Sequence, residues 1–234
     1  MKRVITIALI FAATNAWSLG LWLEPHVGYS VGKLKQQYSI NGGFYSDNTA
    51  SSQRTIDSQN NGVDFGAKIG AFQKLIPGVF AVSLGAYVSL STMGATPDAV
   101  LYSANAAFEP ISRLGAFVNF DIPFVSVWGA YMPLTSVGLK DVQGLGTGGS
   151  IAFEGTGFAV GIAYAVFKGL RINLTYQGEV YTKGKGLASV NTSNSGELKT
   201  LPAVTTNSSI TRRYDELSAY RIGLSVSYAL VLFD

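Results

Sequence analysis

After residue 18 the chain alternates apolar and polar positions in eight separate segments, the period-2 signature of strands with two unlike faces. In the first, Leu21, Leu23, Pro25, Val27, Tyr29 and Val31 oppose Trp22, Glu24, His26, Gly28, Ser30 and Gly32. The second sets Val63, Phe65, Ala67, Ile69 and Ala71 against Asp64, Gly66, Lys68 and Gly70. The third runs from Phe80 to Leu90 with Ser83, Gly85 and Ser89 on its polar side. The fourth sets Leu114, Ala116, Val118 and Phe120 against Arg113, Gly115, Phe117, Asn119 and Asp121. The fifth, Val125 to Leu134, has faces that alternation does not assign. The sixth carries Phe158, Val160, Ile162, Tyr164 and Val166 over a Gly/Ala face. The seventh sets Leu170, Ile172, Leu174, Tyr176 and Val180 against Arg171, Asn173, Thr175, Gln177 and Glu179. The eighth runs from Tyr220 to Leu232 with Arg221, Gly223, Ser225 and Ser227 opposite.

Connections alternate in length. Gln73–Gly78, Asp121–Phe124 and Phe167–Gly169 are short, with Pro77-Gly78 and Lys168-Gly169 as turn signals. Those around 35–62, 91–112, 135–149 and 182–216 are long and rich in Asn, Ser, Thr and Gly. In an antiparallel meander this puts four long loops at one end, and the short turns with both termini at the other. The expected fold is all-β: an eight-stranded antiparallel up-and-down transmembrane β-barrel.

Alternation alone does not say which face meets water, but four features favour apolar outside. The polar faces are rich in Gly, Ala and Ser, as a cramped lumen requires. Aromatic residues recur near segment ends (Trp22, Phe80, Phe120, Tyr131, Phe158, Tyr164, Phe167, Tyr181, Tyr220), where rings suit the headgroup level. Segments of about ten tilted residues match a bilayer core. Every segment charge (Glu24, Asp64, Lys68, Arg113, Arg171, Glu179, Arg221) falls on a polar face, where opposite signs can pair. Equal strand lengths in the first hairpin bring Lys68 near Glu24 and His26, and Arg221 is expected beside Glu179. Closure leaves no unpaired backbone in lipid.

Composition narrows the function. Of 234 residues 47% are hydrophobic and 13% charged, about half the charge of an ordinary soluble domain. There is no Cys and one His, which excludes disulfide scaffolds, thiolate or His-rich metal sites and cysteine nucleophiles. A formal charge of +3, with no Lys/Arg stripe, gives no footing for nucleic acid. Met1-Lys2-Arg3, the apolar run Val4–Ala13 and Ala16-Trp17-Ser18 have the layout of a secretory signal peptide over 1–18. Its apolar run is too short to span a bilayer. The domain reading is a signal over 1–18 and a barrel over 19–234.

From residue 19 onward the pattern resembles the small eight-stranded outer-membrane β-barrels of Gram-negative bacteria: the OmpA-type transmembrane domain and its OmpX- and OmpW-like relatives. Two motifs carry the resemblance. Leu23-Glu24-Pro25-His26-Val27-Gly28-Tyr29-Ser30 is similar to the first strand of many such barrels. Arg221-x-Gly223-x-x-Val226-x-Tyr228 resembles the terminal-strand signal read by the barrel-assembly machinery. Phe233 departs from the family's terminal aromatic, being out of phase and not last. The resemblance implies an outer-membrane location after signal cleavage, with outer-membrane lipid, lipopolysaccharide and the assembly machinery as partners. No cell-wall-binding domain is expected after Asp234.

The candidate chemistry is sparse. A lipid-modifying enzyme needs a base, and His26 is the one histidine, on a lumen face. The plainer reading is a lumen histidine among Lys68 and Glu24. Gly144-x-Gly146-x-Gly148-Gly149 precedes a strand rather than the helix a phosphate loop requires. Asp47, Asp57 and Asp98 are too isolated for a calcium loop. Lys183, Lys185, Arg212 and Arg213 are candidates for lipopolysaccharide phosphates. No cofactor, metal or catalytic site is expected. The functional expectation is a structural or surface-interaction role through four exposed loops toward an unknown extracellular ligand. Its rivals are a narrow porin-like channel for small solutes and an exported soluble lipocalin-like barrel.

Overall fold

A computed structural model describes residues 19–41, 52–95, 107–140, 150–189, 192–197, 204–207 and 210–231. The signal segment 1–18, the glycine run at 144–149, Asp47, Asp98 and Phe233 lie outside the described residues. The strands are β1 (Leu19–Asn41), β2 (Ser52–Gln59), β3 (Gly62–Ile76), β4 (Phe80–Ser91), β5 (Ala107–Phe108), β6 (Ile111–Ile122) and β7 (Val125–Lys140). They continue as β8 (Ser150–Phe167), β9 (Leu170–Ser189), β10 (Thr192–Glu197), β11 (Val204–Asn207), β12 (Ile210–Tyr228) and β13 (Leu230–Val231).

Eight of them close a ring, β1-β3-β4-β6-β7-β8-β9-β12 and back to β1, with every pairing antiparallel. Tight turns join β3 to β4, β6 to β7 and β8 to β9. Gly78 and Gly169 take positive φ there (73° and 81°), as does Phe124 (69°) behind Pro123. A left-handed aromatic is uncommon and marks a turn that the flanking strands over-determine.

The ring is apolar outside. Leu84, Val160, Ile162, Leu174, Ile222 and Leu224 all project outward, with Leu224 61% exposed. Glu24, Lys68, Arg113, Asn119, Asn173, Glu179 and Arg221 are buried inside. A soluble barrel has the opposite arrangement, so the lipocalin-like alternative fails on geometry. The outer belt is the surface a bilayer would cover.

Three expectations change. First, strand continues into the long connections. β1 runs 23 residues to Asn41, β7 reaches Lys140 and β9 reaches Ser189. β2 and β10 pair on the β1 and β9 extensions, and β11 pairs on the start of β12. Beyond the lipid belt the exterior turns polar and the buried face apolar, so the belt's pattern ends while backbone pairing persists. Second, Trp22 and Tyr181 are not headgroup rings: at 1% and 0% exposure both lie inside. Trp22 is in phase with Glu24, and phase rather than position near a segment end decides where it points. Third, the unassigned fifth segment contains a bulge. Met132 stands opposite Gly157 and Thr135 opposite Gly155, so β7 carries one extra residue at Pro133-Leu134. Ser126, Trp128, Ala130 and Met132 point inward before it, and Thr135, Val137 and Leu139 after it. The slip reverses the phase within one strand, and Pro133 has no N–H to lose.

Candidate functional site: the closed lumen

The lumen is filled in layers. At the short-turn mouth Arg171 Nη1 lies 2.9 Å from Asp121 Oδ1 and 3.7 Å from Glu24 Oε2. Above it Lys68 Nζ sits 3.4 Å from Glu24 Oε1, because the β1–β3 register sets the two residues opposite each other. This is the contact expected from equal hairpin lengths. Ser227 Oγ also donates to Glu24, at 2.6 Å.

Rings wall these charges in. Lys68 Nζ lies 4.0 Å above the Trp128 ring, and Trp22 packs on Phe117 at 5.2 Å between centroids. A cation over an indole face gains on the order of 1–2 kcal/mol when desolvated. His26 stacks on Tyr87, centroids 6.0 Å apart, and borders a cavity of about 20 Å³ with Asp64, Asn173 and Gln177. That is room for roughly one water.

A second charge network lies above. Arg113 Nε donates to Glu179 Oε1 at 2.7 Å. Asp64 Oδ1 faces Arg113 and Arg221, each at 3.9 Å, and accepts from Ser91. Arg221 therefore meets Asp64, while Glu179 is engaged by Arg113. The expected Arg221–Glu179 pair fails because β9 and β12 set Arg221 opposite Gln177. Arg113 reaches Glu179 across the lumen, a contact that neighbouring-strand reasoning does not reveal. The long-loop end is then sealed by Leu34, Phe108, Ile111, Leu139, Phe153, Tyr181 and Leu217, all buried against one another.

The network below holds Lys68 and Arg171 against Glu24 and Asp121. The one above holds Arg113 and Arg221 against Asp64 and Glu179. Each balances, as buried charge requires. The Gly/Ala face of β8, which motivates the channel alternative, is not empty: a Cβ at Gly161 would lie 2.6 Å from the Trp128 indole. The glycine makes room for the tryptophan that fills the lumen.

The other candidate residues lie elsewhere. Val226 and Tyr228 face outward, 46% and 44% exposed, while Gly223 faces the lumen near Ser30. Lys183 is exposed on β9. The side chains of Lys185, Arg212 and Arg213 lie outside the described residues. No group of three or more potential metal-ligating His, Asp or Glu side chains occurs among the described residues.

No protein-family model matches the chain, and no curated protein does. Among solved structures it is similar to Neisserial surface protein A (NspA), at 14% identity over 89% of this chain and 96% of that one, with a TM-score of 0.39. It is also similar to Ail, the attachment invasion locus protein of Yersinia pestis, at 12% identity over 88% and 98%, TM-score 0.40. The outer membrane protease OmpT from Escherichia coli matches at 9% identity over 90% and 97%, TM-score 0.42. The closed ring, its aliphatic exterior and its filled polar interior are this chain's own: it has the fold of the small eight-stranded outer-membrane β-barrels.

Proposed function

We propose that this chain is a non-conducting, non-catalytic barrel of the Gram-negative outer membrane that acts through its long-loop end as a surface-interaction protein. The short turns then face the periplasm and the strand extensions face outward. The observation that carries this reading is the lumen: two neutral ion networks interleaved with rings and capped by an apolar cluster. An ion entering it would have to break buried pairs and then cross a dry layer.

Reading 1–18 as a cleaved signal fits export, and the Arg221–Tyr228 motif fits recognition by the assembly machinery. The test is to refold residues 19–234 into planar bilayers and record conductance. A folded, silent protein is expected, and regular conductance steps would replace this reading with the channel.

A further inference from the structure

The short-turn end has an unusual composition for a face in water. Turns ordinarily draw on Gly, Pro, Asn, Asp and Ser. Here the three tight turns read Leu75-Ile76-Pro77-Gly78-Val79-Phe80, Ile122-Pro123-Phe124-Val125 and Val166-Phe167-Lys168-Gly169-Leu170. Phe167 is 75% exposed and Phe124 68%, the highest values among the large hydrophobic residues described. Ile76, Val79 and Ile122 are exposed as well. A contiguous apolar patch of this kind marks a surface that something covers.

Height says what covers it. The outward apolar positions of β8 run from Phe158 to Val166, and those of β9 from Leu170 to Val180. Exposed Thr156 and Thr182 follow above. Each run is roughly ten residues, the length a tilted strand needs to cross the hydrocarbon. The belt reaches that length only when counted from the turns, so the turns stand at its lower boundary, level with the headgroups. Charge then narrows the lipid. Lys168 is exposed at the tip of the β8–β9 turn. The acids of this end among the described residues, Asp121 and Glu24, both face Arg171, at 2.9 and 3.7 Å, and neither is exposed.

We propose that the short-turn end docks on anionic glycerophospholipid. Phe124 and Phe167 insert beneath the headgroups of the periplasmic leaflet, and the Lys168 ammonium donates to the phosphate of a lipid with net negative charge. The lysine stem lies along apolar surface while its charge reaches the headgroups. A zwitterionic headgroup brings an ammonium that no exposed carboxylate among the described residues of this end accepts. Continuity with the belt favours lipid over a soluble partner. The proposal rests on the membrane-spanning reading and not on a closed lumen.

Residues 19–234 contain two tryptophans, Trp22 and Trp128, both buried in the lumen, so a tryptophan placed outside reports its own surroundings. The test is the fluorescence of Phe167→Trp refolded into vesicles of phosphatidylcholine and phosphatidylglycerol. Quenchers are acrylamide in the water and bromine near the headgroup end of the acyl chains of either lipid. Bromine should quench and acrylamide should not. Brominated phosphatidylglycerol should quench as though enriched about fivefold at the site, the effect of one lysine at an anionic surface. Adding Lys168→Gln should abolish the enrichment and leave the depth unchanged, whereas adding Lys183→Gln, at the far rim, should change neither. Ile162→Trp, within the belt, separates two failures. If it too is open to acrylamide, the spanning reading falls and the docking face with it. If bromine quenches it while Phe167→Trp is open to acrylamide, the docking face alone falls. Equal quenching by the two brominated lipids, or an enrichment that survives Lys168→Gln, would also overturn the proposal. Heat-modifiable migration checks that each variant is folded.

Discussion

Arg113 is the residue on which the interior depends most. It is 2% exposed, bonds Glu179 across the lumen and donates to Ser89 and Ser91. Removing its partner strands a buried guanidinium, so Glu179→Ala should cost about 3–5 kcal/mol in urea unfolding from lipid vesicles. Replacing both members, Arg113→Met with Glu179→Leu, should recover most of that loss, because a buried ion pair exchanged for packed apolar groups is often neutral. A single substitution costing under about 1 kcal/mol would mean that solvent reaches the pair. Gly161→Ala tests the packing instead. The added methyl meets the Trp128 indole at 2.6 Å, and overpacking of this kind costs about 1–3 kcal/mol by the same measurement. The lumen members were legible one at a time, since phase alone puts Glu24, Lys68, Arg113 and Arg221 inside. Their partners were legible only where a hairpin sets the register. Lys68–Glu24 follows from one short connection, whereas Arg113–Glu179 depends on how the whole ring closes.

Among the elements, β7 shows why one strand was opaque while seven were readable. A period-2 test assumes one phase per strand, and the bulge at Pro133-Leu134 reverses the phase halfway along. The same reversal is structural. Above the bulge it turns Val137 and Leu139 into the apolar cluster of the long-loop end, where both are buried. Deleting Pro133 should remove the extra residue and leave Met132, Thr135, Val137 and Leu139 all inward in strict alternation, so the cluster survives. Leu139→Asp disrupts the same cluster without touching the register. Leu139→Asp should become sensitive to protease added at the long-loop face and the Pro133 deletion should not, while in both the spanning belt stays resistant and the unheated protein keeps its folded mobility. Protection of Leu139→Asp equal to wild type would show that the cluster does not hold the extensions. On β7 and β8 these extensions escaped sequence reading because the faces exchange character: Val137, Leu139, Ile151 and Phe153 turn inward while Lys140 and Glu154 turn outward, the reverse of the pattern in the belt.

At the scale of the whole molecule the lumen is a series of barriers, and series barriers make a sharp prediction. Current must pass the mouth network, the ring layer at Trp22, Phe117 and Trp128, the Arg113–Glu179–Asp64–Arg221 network and the apolar cap. In a series the largest remaining barrier sets the flux, so weakening one layer leaves the others in control. Trp128→Ala alone should remain silent in planar bilayers, and so should Arg113→Ala. Conductance should appear only when a charge layer, the ring layer and the cap are opened together, as in Trp128→Ala with Arg113→Ala and Phe153→Ala. The opened pore would carry Asp64 and Glu179 against Arg221 and so favour cations, readable as a shifted reversal potential in a salt gradient. Steps from either single variant would mean that one layer alone closes the barrel. Silence from the folded triple variant would place the closure in the mouth network of Arg171, Asp121 and Glu24.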